Sequence, residues 1–148
     1  MWNRTKSVIL SSICTKVAVV LVIIAVFAMP YLIPIYVTFT GKNPDIIQSL
    51  LVTVYAAALP GLVSLICLDR LLLNLRREEV FAEKNVKLLR VLSWCSFVFS
   101  AIMFISGFYY ILFVIIAVCA AFLGLILRVI KNVFERAITI KQENEFTI

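Results

Sequence analysis

The sequence contains no histidine. That removes the side chain used most often for catalysis near neutral pH and for holding transition metals. Its four cysteines, Cys14, Cys67, Cys95 and Cys119, stand singly, with no Cys-x-x-Cys pair. Neither a zinc set nor a redox motif can be assembled from them, and they read as small, reduced, buried side chains. Three long stretches, residues 17–39, 46–68 and 91–127, carry no Asp, Glu, Lys or Arg at all. Ionisable groups inside a membrane are costly and usually mark proton or ion paths, so their absence argues against a pump or a proton-coupled carrier. There is no glycine-rich phosphate loop, no nucleophile beside a base and no metal-spaced cluster. No enzyme activity, metal or cofactor is expected.

What is present is apolar. Of the 148 residues, 64% are hydrophobic and the mean hydropathy is +1.09. Soluble domains are roughly 45–50% apolar, so lipid is the expected solvent. The net charge of +6 raises the question of nucleic acid. The cations flank apolar runs, however, where they set topology and meet anionic lipid, and no direct nucleic-acid contact is expected.

The runs divide into spans. Residues 17–39 are 23 residues without a charge, about 34 Å as a helix and enough for a hydrocarbon core of ~30 Å. The run is longer than a signal-peptide core needs, so it reads as a retained first helix. Pro30 and Pro34 favour a kink or an early end in its far half. Thr40 to Asp45 (TGKNPD) is a turn by composition. The second span is 46–68, with Pro60 and Gly61 placed to bend it. The third run, 37 residues long, would make a helix of about 55 Å and must fold back, with the break at Ser106-Gly107. That gives spans at about 88–106 and 109–128, antiparallel neighbours across a very short turn. Tyr109 and Tyr110 suit the membrane boundary. The expected architecture is all-α: a single membrane domain, a four-transmembrane-helix bundle with a cytosolic helical hairpin at 69–90 and a C-terminal amphipathic helix beside the membrane in the tail, 129–148.

The hairpin is the only long polar interruption. Leu68, Leu71, Leu72 and Leu75 carry an apolar stripe past the second span, Arg76 and Arg77 complement the helix dipole there, and residues 78–84 form the turn. Glu83 or Asn85 is expected to cap the next helix. In the tail, Val129, Ile130, Val133, Phe134, Ala137 and Ile138 share one helix face, suited to lying on lipid or covering the hairpin. Residues 140–148 read as partly ordered at best. Asp69 and Arg70 are the best placed groups for pairing with another helix end. The hydroxyls in the spans, Ser93, Ser100 and Ser106 among them, are expected to bond within or between helices.

Thirteen of the 14 basic residues fall in the N-terminal segment, the hairpin with its flanks and the tail. Only Lys42 lies in the outer turn. By the positive-inside rule both termini and the hairpin face the cytosol of a cell-membrane protein.

The segment EEVFAEKNVKLLRVLSW, with Phe-x3-Asn-x2-Leu-Leu-Arg from Phe81 to Arg90, resembles the hairpin of a bacterial family of four-helix membrane proteins known only as a domain of unknown function. The tail ITIKQENEFTI resembles that family's acidic ending, with Glu145 and Phe146 standing where Asp and Leu are usual. The resemblance implies four spans and often a neighbouring gene for a small helix-turn-helix regulator, and it implies no activity, substrate or cofactor. The functional expectation is a regulatory or interaction protein presenting Arg76, Arg77, Phe81, Asn85, Leu89 and Phe146 to a cytosolic protein such as that regulator. The alternative is a small oligomeric transporter, channel or lipid-handling protein, drawn from the proline-bearing helices and the hydroxyls. Homo-oligomers fit either reading.

Overall fold

The computed structural model describes residues 3–146. Four helices follow in order: α1 (Arg4–Thr40), α2 (Ile46–Arg76), α3 (Glu83–Ser106) and α4 (Leu112–Phe146). Each is long and apolar enough to cross a membrane, and the protein is a multi-pass membrane protein in a lipid environment.

The helices overrun the apolar spans at the end where the charges sit. α1 begins at Arg4, well before residue 17, and nothing between Lys6 and Lys16 breaks it. It ends at Gly41, whose φ of +65° is left-handed. The Gly41 and Lys42 amides then cap Thr38 and Val37, a closure that glycine allows at little cost. Neither Pro30 nor Pro34 shortens α1, and Pro60 does not interrupt α2. Pro30 has no N–H for the carbonyl of Val26, four residues back. The Tyr55 hydroxyl of α2 donates to that carbonyl instead, at 3.3 Å. A missing bond within one helix thus becomes a contact between two.

Two expectations for the last helix are corrected. α4 starts at Leu112 rather than near residue 109, because the amides of Tyr109 and Tyr110 close a turn onto the Ser106 carbonyl. The amphipathic stretch is not a separate helix: span and tail form one 35-residue helix reaching Phe146. No glycine or proline separates them; on the expected apolar face Phe134 packs on the hairpin and Ile138 is buried, while Val129, Ile130 and Val133 stay exposed. Thr147 and Ile148, which complete the tail motif, lie outside the described residues.

Each helix packs along the next: α1 on α2, α2 on α3, α3 on α4. α3 and α4 approach closely because α4 presents Ala117, Ala120 and Gly124, all buried, spaced by three and four residues along one face. A side chain at Gly124 would sit 3.0 Å from the Phe97 ring. Ser100 donates to the Ala117 carbonyl at 2.6 Å and Ser93 to that of Gly124 at 3.1 Å. α1 is the peripheral helix: 6% of its most apolar window is buried, against 17–22% for the others. Most of its surface therefore faces lipid.

Candidate functional site: the hairpin end

At the charged end, α2 and α3 are joined by residues 77–82, and the join is organised by Asn85. Its side chain is wholly enclosed. The amide nitrogen donates to the carbonyls of Glu79 and Val80, each at 2.7 Å. The amide oxygen accepts from the Asn74 side chain at 2.8 Å. One side chain therefore satisfies two turn carbonyls and ties α2 to α3. The turn needs this support, since Glu78 adopts φ of +63°, a left-handed conformation unfavourable for a residue with a β-carbon. Asn85 is not the cap that its position near the helix start suggests: the cap residue is Ala82, without a side-chain bond.

Beneath the turn, Leu71, Leu89 and Leu92 form a buried cluster against Leu68, Leu75, Leu127 and Phe134. Leu68, Leu71 and Leu75 of the predicted stripe thus pack against α3, with Leu127 and Phe134 of α4 closing the cluster. Phe81 meets Phe134 edge to face, with centroids 5.7 Å apart, a geometry favoured by the ring quadrupoles. Arg90 pairs with Glu135 at 3.2 Å, and Lys131 reaches the same carboxylate at 3.7 Å. Lys84 pairs with Glu79. That hydrogen bond, and then the lysine's charge, hold the exposed Glu79 carboxyl below the usual glutamate range. Asp69 accepts a bond from Ser12 of α1 at 3.4 Å, so it contacts another helix end through a hydroxyl rather than a cation.

The expected partner-facing residues separate into two groups. Arg76 lines an open recess of about 300 Å³ together with Arg4, Glu78 and Val80. Phe81 borders the adjoining groove with Glu79, Lys84 and Lys141 and remains 49% exposed. Arg77 is exposed at the end of α2, and Phe146 is exposed at the end of α4. Asn85 and Leu89, in contrast, are enclosed by the chain's own residues. They shape the hairpin and present nothing to a partner. Residues that sequence reasoning passed over are Asn74, which completes the Asn85 network, and the Ala117-Ala120-Gly124 face. The small-residue spacing was a readable signal for the latter.

At the opposite end, Tyr36 and Tyr110 share a hydroxyl hydrogen bond at 2.8 Å, and the Lys42 ammonium lies 3.9 Å from the Tyr110 ring centre. Thr53 bonds to Ser106 at 2.8 Å and to Tyr109, and Tyr109 donates to the Ser49 carbonyl at 3.0 Å. The tyrosines sit at the end of the spans, as a boundary belt requires, and also tie α1 and α2 to the turn between α3 and α4.

The family described as "Protein of unknown function (DUF2975)" matches residues 5–148, and the chain belongs to it. No curated protein and no solved structure matches.

Proposed function

We propose that this family member is a membrane-anchored interaction protein whose hairpin and C-terminal helix present a surface to a cytosolic protein. In this reading both termini and the hairpin lie on the cytosolic side of the cell membrane. The observation that carries it is the concentration of ionisable groups at one end. Apart from Lys42 and Asp45, every charge lies in the N-terminal segment, the hairpin with its flanks or the tail, where the recesses beside Arg76 and Phe81 open. A soluble regulator of the helix-turn-helix class, the neighbour that the hairpin resemblance implies, would meet charge and an exposed aromatic there. Catalysis has no place in this reading.

The test is cross-linking and co-purification of the full chain from membranes. Phe81→Asp, the double change Arg76→Gln with Arg77→Gln, and removal of residues 140–148 are each expected to lose the partner, while Lys42→Gln keeps it. An unchanged set of co-purified proteins in all three variants rejects the proposal. Orientation is checked separately. A reporter active only outside the cytosol should work when inserted at Lys42 and stay silent at Glu79.

A small transporter, channel or lipid-handling protein remains the alternative. Its polar lining would draw on Ser49, Thr53, Ser64, Ser93, Ser96, Ser100 and Ser106, of which Thr53, Ser93, Ser100 and Ser106 already bond across helices. Ion, solute or lipid flux in liposomes would revive it.

A further inference from the structure

We propose that a small recess between α3 and α4, at the hairpin end, binds a phosphate group carried by an anionic phospholipid headgroup. Arg90, Ser93 and Trp94 from α3 and Arg128 and Lys131 from α4 line it. The inference depends on the helices crossing a bilayer and is independent of which side the hairpin faces.

Depth is the first argument. Arg90 and Arg128 bracket the 37-residue charge-free run, so they stand where the hydrocarbon ends. The two helices are antiparallel neighbours, and the bond from Ser93 to the Gly124 carbonyl fixes their register. The two guanidinium groups are thereby held at one level. Headgroup phosphates occupy that level, and basic pockets between spans at the membrane boundary suit them. Around the recess, Val91, Leu125 and Val129 are exposed apolar side chains that would lie against the acyl chains of the same lipid.

Charge is the second. Three cations face one acid, Glu135, which holds Arg90 at 3.2 Å and Lys131 at 3.7 Å. Arg128 pairs with no carboxylate among the described residues. Its guanidinium carbon lies 5.8 Å from the centre of the Trp94 ring, an attraction that orients it without neutralising it. An excess of positive charge is left over, and guanidinium groups suit phosphate oxygens. Lys131 is also held in place, its side chain only 12% exposed.

Size and chemistry complete the case. The recess is small, about 40 Å³, and partly open, which suits a single anionic group. Trp94, 56% exposed, has the amphipathic ring that settles among headgroups.

The test uses the full chain with Trp2→Phe, which leaves Trp94 as the sole indole. It is reconstituted in phosphatidylcholine vesicles containing an equal fraction of either brominated phosphatidylglycerol or brominated phosphatidylcholine. Bromine quenches indole fluorescence on contact, so the ratio of quenching by the two lipids reports preference. The anionic lipid is expected to quench several-fold more effectively. Arg128→Gln or Lys131→Gln should each lower the preference roughly fivefold, Arg128→Lys should retain most of it, and Lys42→Gln, at the other end, should leave it unchanged. Circular dichroism confirms that each variant keeps its helices. Equal quenching by the two lipids overturns the proposal, as does a preference unmoved in a folded Arg128→Gln/Lys131→Gln double variant. Inorganic phosphate in the buffer should relieve quenching no more than chloride at equal ionic strength. Greater relief would move the site to a soluble phosphate and overturn the lipid assignment.

Discussion

The two ends of the bundle are held by different chemistry. At the hairpin end a single amide, Asn85, bonds two turn carbonyls and a second amide in an enclosed site. At the opposite end hydroxyls carry the load: Tyr36 with Tyr110, and Thr53 with Ser106 and Tyr109. A serine or threonine hydroxyl on a helix has a fallback, since it can return to its own backbone, as Thr53 already does to the Ser49 carbonyl at 2.9 Å. The Asn85 amide has none, because the carbonyls it serves belong to a turn without a helical ladder. The Thr53–Ser106 link at the hydroxyl end is therefore replaceable, and it is one of several bonds there, whereas the hairpin turn depends on one amide.

The largest break in this comparison should come from Asn85→Ala. It strips partners from two carbonyls and from Asn74, and it is expected to lower stability by about 2–3 kcal/mol, read as thermal unfolding of the purified chain in detergent. Cross-linking between α2 and α3 cysteine pairs should become irregular. If Asn85→Ala melts like the parent, the hub assignment is wrong.

Next in size is Gly107→Ala, at the other end. A β-carbon there would collide with Val114 Cγ2 and stand 3.0 Å from the Phe104 carbonyl. The added carbon must push the α3–α4 turn apart, for a loss of about 1–3 kcal/mol. The opposite end would then prove vulnerable in its backbone packing rather than in its polar bonds, which a thermal series can separate.

Ser106→Ala should cost much less, roughly 0.6 kcal/mol, the average for a hydrogen bond between membrane helices. A loss as large as that of Asn85→Ala would erase the distinction between the two ends.

The smallest effect is expected from pH. The carboxyl of Glu79 is held below the usual glutamate range by Lys84, so the pair stabilises the hairpin above the unfolded glutamate's pKa. That contribution fades as pH falls through the lowered folded value. Both groups are exposed, and such pairs contribute little. The acid-side loss of stability should be slightly smaller in Glu79→Gln than in the parent. An identical acid limb in both would remove the pair from consideration.

Much of this fold was legible in one dimension. Charge-free runs marked the spans, TGKNPD marked the first turn and Ser106-Gly107 the third, because each depends on composition over a short window. The α2 stripe from Leu68 to Leu75 was legible for the same reason. The candidate site was legible only in outline. Arg76 and Arg77 are exposed at the hairpin end as expected, Phe81 is half exposed with its ring on Phe134, and Asn85 and Leu89 face inward. An Asn near a helix start reads as a cap because capping is the commonest local use of that side chain. Only the path of the turn shows that Asn74, eleven residues earlier, and the carbonyls of Glu79 and Val80 surround it.

The sequence by itself determined the number of spans, their approximate bounds and the gathering of charge at one end, since these follow from the cost of placing polar groups in hydrocarbon, residue by residue. Tertiary structure alone decided that the tail continues the fourth helix to seal the hairpin, that Asn85 is a buried hub, and that Arg90, Arg128 and Lys131 share one recess. Those outcomes depend on which helix faces meet and at what register, a property of paired surfaces that no single stretch of chain carries.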